Sequence, residues 1–229
     1  MAHPYFSDHT LEKLIDDSEA VIFDMNGLIF DDEPIHFGIF NQIIEQYGVK
    51  IGEDEYIKDY LGHKPSAVLQ IIKEKYNLHY DSESLSVQFY EKRVESISKI
   101  LDRVRPGVIE FFDYLITQGK KVALVTSATE EMATIVLGNS GIGILDKFTT
   151  YVCSDMVQGD KKSAYEMAVA KLGVDSKKCI ALEDSAHGVN SAASAGIRCI
   201  AVPNQYTINQ NFSSATYVIG SLERTLNLE

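Results

Sequence analysis

From Pro106 to Asn204 the chain alternates short apolar runs with helical patterns. A helix through FFDYLITQG is followed by a run KVALVTSA, a helix from Glu130 to Gly138 and a run FTTYVCSD. Next come a helix KSAYEMAVAKLG, a run CIALEDS, a helix HGVNSAASAG and a run RCIAVPN. A continuous apolar run between helices is the pattern of a strand covered on both faces, and strands joined through helices pair in parallel by right-handed crossovers. A further run of this kind, residues 20 to 25, stands near the N-terminus. The alternation therefore constrains the core to a doubly wound α/β parallel sheet. A short helix before it, capped by Ser7 or Asp8 and carrying Leu11, Leu14 and Ile15 at helical spacing, is expected to cover one sheet face.

Ligands of such sheets bind beyond the carboxyl ends of the strands. The first run ends in Asp24, the second in Thr126-Ser127 and the fourth in Glu183-Asp184-Ser185, while the loop after the third carries Lys161-Lys162. Acids, hydroxyls and a lysine are thus expected on one rim. Acids from two strands suit Mg²⁺, a hard ion that takes oxygen ligands and keeps places for water and substrate phosphate. Thr126 and Ser127 fall at a strand-to-helix turn, where N–H groups and hydroxyls suit a phosphate, and a lysine supplies compensating charge.

Residues 34 to 104 have a different texture, with helical patterns HFGIFNQIIEQYG, EDEYIKDYLG and PSAVLQIIKEKYN and a charged run from Asp81 to Leu101. So long a stretch does not stay structureless inside a compact domain. It is read as an inserted helical domain, with residues 1–33 and 105–229 forming the α/β core. Leu85, Phe89, Val94, Ile97, Ile100 and Leu101 approximate one apolar face of its last helix.

Three segments together carry a resemblance. Asp24-Met25-Asn26-Gly27-Leu28-Ile29-Phe30-Asp31 resembles the DxDGxxxD first motif of the haloacid dehalogenase (HAD) superfamily, VTS at 125–127 its second motif, and EDSAHGVNSAASAG at 183–196 its fourth. The resemblance spans essentially the whole chain, is closest to the β-phosphoglucomutase and sugar-phosphate phosphatase group, and implies a Rossmann-like core with a small all-α cap. It further implies that Asp24 is the nucleophile, forming an aspartyl phosphate. Mg²⁺ would be held by Asp24, the backbone carbonyl of Asn26 and Asp184, with Glu183 as direct or outer support, and Thr126, Ser127 and Lys161 would clamp the phosphoryl group.

Two departures from the family pattern bear on catalysis. The third motif, usually GKPxPD followed by an aromatic, stands here as QGDKKSAY, so Lys161 is the expected phosphate lysine with Lys162 as the alternative. Asn26 occupies the position where family phosphotransferases carry a second aspartate as general acid and base, which a carboxamide cannot replace. Three explanations stand beside one another: a variant of an ordinary phosphatase, a natural slow phosphatase or phosphate-binding protein, or deamidation of the Asn26-Gly27 pair to aspartate.

The cap offers His36, which matches a histidine of the mutase group and is equally readable as a packing residue, and the Gly62-His63-Lys64 loop, where Gly62 permits close approach and Lys64 meets an anion. The mutase group has an arginine three residues after that glycine. This chain has Pro65, which argues for a monophosphate phosphatase, with Lys64 or Arg93 as possible substitutes for the arginine.

A formal charge of -12 with pI about 4.9 runs against nucleic acid as a partner, so an anionic substrate must be held by local cations or a metal. No apolar run approaches the roughly 20 residues of a membrane span, and MAHPYFSDHTLEKLIDD lacks the regions of a signal or transit peptide. The expected setting is cytoplasmic, as a monomer or weak homodimer. Cys153, Cys179 and Cys199 lie in apolar runs without metal-ligand spacing and read as small core residues. The expected function is Mg²⁺-dependent hydrolysis of small phosphorylated metabolites. A phosphohexose mutase and a catalytically silent phosphate-ester binder are the alternatives.

Overall fold

The structure, a computed structural model, describes residues 9–96, 99 and 101–223. It divides into two compact units, Met1–Asp31 with Arg103–Glu229, and Asp32–Asp102. The division therefore falls after Asp31 and after Asp102, two residues before the boundaries expected from the sequence, after 33 and after 104. The chain leaving and re-entering the first unit is paired within it. Phe30 bridges Val104 antiparallel, and the Asp31 and Arg105 N–H groups donate to the Arg103 and Ile29 carbonyls, each at 2.9 Å.

In the first unit, helix α1 (His9–Asp16) precedes strand β1 (Ala20–Phe23). Its predicted cap at Ser7 or Asp8 lies outside the described residues. The later elements are strand β2 (Lys121–Val125), strand β3 (Thr150–Val152), strand β4 (Cys179–Glu183) and strand β5 (Arg198–Ala201), followed by strand β6 (Tyr217–Val218). They form one sheet in the order β3-β2-β1-β4-β5-β6 with every pairing parallel. Strand β6 is an addition to the expected five: two residues on a sheet edge leave no apolar run to read.

Register positions the site. Phe23 pairs with Leu124 on one side and Leu182 on the other, and the Asp24 N–H extends the ladder to the Leu182 carbonyl at 3.0 Å. Asp24 and Glu183 therefore leave the sheet side by side. On one face Ile22, Val125, Ala181 and Cys199 pack with Tyr165, Ala168, Val189 and Ala192 from the two helices described below. On the other, the Phe23 ring lies 5.7 Å from Phe112 and 6.4 Å from Phe148. Phe112 belongs to helix α6 (Val108–Thr117), and helix α7 (Glu130–Leu137) follows β2. Burial on both faces explains why the central strands lack polar alternation, and it fixes the strand ends from which the functional side chains project.

The second unit is helical: α2 (Glu33–Ile44), α3 (Glu53–Asp59), α4 (Pro65–Lys75) and α5 (Ser82–Glu95). Pro34 and Pro65 sit in first turns, where a missing N–H costs no helical bond. Asp81 caps α5, its carboxylate accepting from the Glu83 and Ser84 N–H groups at 3.3 Å. Phe89 of α5 stacks on Phe40 of α2 at 4.5 Å.

The last helix departs from its predicted extent and face. It ends at Glu95 instead of continuing to Leu101, and Ile97 and Ile100 lie outside the described residues. Leu85 and Phe89 are buried, but Val94 is 43% exposed and Arg93 takes the inward position, 6% exposed. Arg93 is there because its Nη2 meets Asp32 Oδ2 at 2.8 Å, a pairing that offsets the cost of burying a charge. Among the described residues no helix is long and apolar enough to cross a membrane.

Candidate active site

The loop after β1 begins with Asp24, 4% exposed. It then closes on itself: the Ile29 N–H donates to the Met25 carbonyl and the Gly27 N–H to the Phe30 carbonyl, both at 2.9 Å. Gly27 turns the chain with φ +79°, a left-handed conformation that a side chain resists, and a Cβ there would run into the Asp184 carboxylate. Asn26 is half-buried and forms a bridge with Phe30.

Beside this loop, β4 ends in Glu183, with no exposed surface, and Asp184, 7% exposed. Carboxylate oxygens of Asp24, Glu183 and Asp184 lie within 4.8 Å of one another. Helix α8 (Lys161–Leu172) enters the cluster from its N-terminus, where the Asp160 side chain caps by accepting from the Ser163 N–H at 3.0 Å. Lys161 Nζ lies 2.6 Å from Asp24 Oδ1 and 2.7 Å from Glu183 Oε1. One helical turn on, the Tyr165 hydroxyl donates to the same Glu183 Oε1 at 2.6 Å. Helix α9 (Ala186–Ser194) starts just beyond Asp184, and its Gly188 is side-chain-free where a Cβ would strike Glu183.

The cluster holds three carboxylates against one ammonium, and the electrostatics follow from that imbalance. Burial, then the Glu183 charge, pushes Asp24 up to about 7, although Lys161 pulls it back. Burial, then Asp24 and Glu183, raises Asp184 well above the usual carboxylate range. Burial alone would lower Lys161, but Asp24 and Glu183 outweigh it and hold the lysine charged above its ordinary range. Glu183 Oε2 is buried without a hydrogen-bond partner. Surplus negative charge on closely spaced oxygen donors is the chemistry that a hard divalent cation satisfies, so Asp24, Glu183 and Asp184 fit such an ion.

The remaining predicted residues fall into two groups. Thr126 stands at the end of β2, 2% exposed, its N–H donating to the Val152 carbonyl at 3.0 Å and its hydroxyl accepting from the Ala128 N–H at 3.0 Å. Ser127 follows and is exposed. Of the two lysines, Lys161 meets the acids, whereas Lys162 is half-buried and paired with Glu166 one turn along its own helix.

His36, Gly62 and Lys64 belong to the helical unit. His36 Nε2 is 3.1 Å from Asp32 Oδ2, and its ring is 5.3 Å from Phe89. Gly62, φ +81°, and Lys64 are exposed on the loop that leads into α4. Arg93, weighed as a substitute phosphate ligand, is instead committed to Asp32.

Three residues of the first unit escaped the sequence reading. Tyr165 lies at Lys161 plus four, a spacing that could have flagged it. Arg105 donates through Nη1 to the Gly27 and Val202 carbonyls at 2.8 Å and through Nη2 to the Pro203 carbonyl at 3.0 Å. Asn204, 8% exposed, donates from Nδ2 to Asp184 Oδ2 at 2.9 Å. Asn204 stands just past β5, so the strand-end rule applied to RCIAVPN would have found it.

The profile of the haloacid dehalogenase-like hydrolase family matches residues 21–202. The chain is 30% identical over 184 residues to the phosphorylated carbohydrates phosphatase of Thermotoga maritima, covering 80% of this chain and 83% of that protein. It is 29% identical over 186 residues to hexitol phosphatase B of Escherichia coli, with 80% and 83% covered. Its fold is similar to that of CbbY from Rhodobacter sphaeroides, solved in complex with phosphate, with TM-score 0.75, 22% identity, and 90% and 95% of the two chains covered. With a profile match running from β1 through β5 and a 30% identical relative across most of both chains, the chain belongs to the haloacid dehalogenase-like hydrolase family.

Proposed function

We propose that the chain hydrolyses small phosphate monoesters, sugar phosphates foremost, in a Mg²⁺-dependent reaction through an aspartyl phosphate on Asp24. The observation that carries this reading is the meeting of Asp24, Asp184 and Lys161 at one rim, with Lys161 Nζ 2.6 Å from Asp24 Oδ1. Relatives named as phosphatases of phosphorylated carbohydrates and of hexitols support the substrate class.

In this mechanism Asp24 attacks phosphorus, the ester oxygen departs, and water then cleaves the acyl phosphate to restore the carboxylate. Lys161, the Thr126 hydroxyl and the Ser127 amide hold the equatorial oxygens, whose charge grows in the transition state. Asp24, Asp184 and the Asn26 carbonyl are the proposed ligands of the Mg²⁺, which would neutralise the surplus charge and polarise a phosphoryl oxygen. Glu183, its Oε1 occupied by Lys161 and Tyr165, supports from behind.

Asn26 favours a second reading, a phosphate-ester binder that turns over slowly or not at all, because a carboxamide neither protonates the leaving oxygen nor activates water. Pro65, which opens α4 where the mutase group has an arginine, weighs against a bisphosphate-using mutase.

A Mg²⁺-dependent phosphate-release screen over a panel of sugar monophosphates, run on this protein and on Asn26→Asp, tests the proposal. Release by either protein, abolished by Asp24→Ala, is the expected outcome. Turnover by neither, with ligand binding unchanged in Asp24→Ala, would overturn the phosphoenzyme. Ligand binding that depends on Asp24 without phosphate release would favour the binder, and isomerised product without phosphate release would favour the mutase.

A further inference from the structure

We infer that Asn204 is a positioning residue that fixes which oxygen of Asp184 is presented to the metal and braces that carboxylate against the nucleophile loop. This rests on the metal reading proposed above and assigns a role to a residue outside the acidic cluster.

The orientation of the Asn204 amide follows from its partners. The N–H groups of Tyr206 and Thr207 point at Asn204 Oδ1, at 2.8 Å and 3.1 Å. A backbone N–H can only donate, so these two contacts require the oxygen on that side and leave the NH₂ for the other. There Nδ2 finds two acceptors, Asp184 Oδ2 at 2.9 Å and the Gly27 carbonyl at 3.3 Å.

The amide therefore spans the two segments that supply the proposed ligands, the loop after β1 and the end of β4. Asp184 Oδ2 is engaged by Asn204 and lies where a Cβ on Gly27 would collide with it. Oδ2 is thus the more crowded oxygen, and Asp184 would offer its other oxygen to a metal.

The brace is itself anchored. The Asn204 N–H donates to Thr207 Oγ1 at 3.0 Å, which closes the turn around the side chain. Arg105 grips the Val202 and Pro203 carbonyls just before it, while its Nη1 also reaches the Gly27 carbonyl. Separate from this anchoring, Gln210 Oε1 farther along the loop accepts from the Ala186 N–H at 2.8 Å, a contact that does not pass through Asn204. Asn204 thus carries to Asp184 a position set by the backbone after β5. Outer partners of metal-binding carboxylates commonly change metal affinity by 10- to 100-fold when removed.

Mg²⁺ titration calorimetry without substrate on the full chain tests this, alongside thermal melts. Asn204→Ser keeps a short acceptor for the Tyr206 and Thr207 N–H groups but cannot reach Asp184, so the turn stays closed while the brace is lost. Gln210→Ala removes a different contact of the same loop and serves as the structural control. Mg²⁺ affinity is expected to fall about 10- to 100-fold in Asn204→Ser and to stay within about twofold of the parent in Gln210→Ala.

An Asn204→Ser protein that folds and binds Mg²⁺ like the parent overturns the inference. An equal loss of affinity in Gln210→Ala overturns it as well, since the loop as a whole would then be responsible. If Asn204→Ser does not fold, Asn204→Ala is read by the same criterion. A parent that binds no Mg²⁺ overturns the metal reading itself, an outcome distinct from parental binding that is unchanged in the variant.

Discussion

The Tyr165 hydroxyl donates to Glu183 Oε1 at 2.6 Å, on the same oxygen that Lys161 Nζ approaches at 2.7 Å. Both side chains are on α8, one turn apart, so a single helix face brings both donors to one buried carboxylate oxygen. Tyr165→Phe leaves the ring packing intact and removes one charged hydrogen bond, for an expected loss of about 1–3 kcal/mol. Urea denaturation of the metal-free protein should show a lower midpoint at unchanged slope.

Lys161 and Lys162 are neighbours in sequence with different environments. Lys161→Met should cut phosphate release by about 10²–10³-fold, the scale of losing one donor aimed at developing charge. Lys162→Ala loses only an exposed pairing with Glu166, and its stability should stay within about 0.5 kcal/mol of the parent with activity unchanged. Initial rates on one sugar phosphate, together with a melt of each variant, separate the two.

Asn26→Asp should raise kcat by about 10²–10⁴-fold on esters with poor leaving groups, the range of a positioned acid and base. The gain should shrink for an aryl ester such as p-nitrophenyl phosphate, whose oxygen leaves without a proton. The deamidation route to the same aspartate requires the Gly27 nitrogen to attack the Asn26 side chain. That N–H is engaged with the Phe30 carbonyl at 2.9 Å, so intact-mass measurement after prolonged incubation should show no added mass unit.

Asp24 is raised from its ordinary 3.8 to about 7, and Asp184 is raised too. Between those pH values the folded, metal-free protein holds protons that the unfolded chain has released. Its stability should therefore fall as pH rises through that window and stay low above it. Protons and cation compete for these oxygens, so the stabilisation added by Mg²⁺ should grow with pH. Melting temperatures from pH 5 to pH 8, with and without Mg²⁺, check both slopes, and Asp24→Asn should flatten the metal-free one.

How much of this was legible in the residues depended on what each signal had to do. A continuous apolar run such as AVIF has few alternatives to a buried strand, so the acid that ends it must emerge on the rim, and Asp24, Glu183 and Asp184 could be read directly. Arg105 and Asn204 act instead on the Gly27 carbonyl, which lies 78 and 177 residues away in sequence. A side chain that reaches distant backbone leaves no periodicity behind. Arg93 is hidden for a related reason: a charged residue in an inward position looks like a break in the apolar face until Asp32 is seen opposite it, and the pattern points instead to Val94, which is exposed.

The turn from Met25 to Phe30 closes through the Ile29 and Gly27 N–H groups, and neither bond involves the Asn26 side chain. The turn is therefore closed by backbone groups, which asparagine and aspartate share. Asparagine and aspartate codons differ at a single base, so the lineage stands one transition mutation away from a carboxylate there. Plating a phosphatase-deficient host that carries this gene on a sugar phosphate as sole phosphorus source should return that base change repeatedly, and seldom any other.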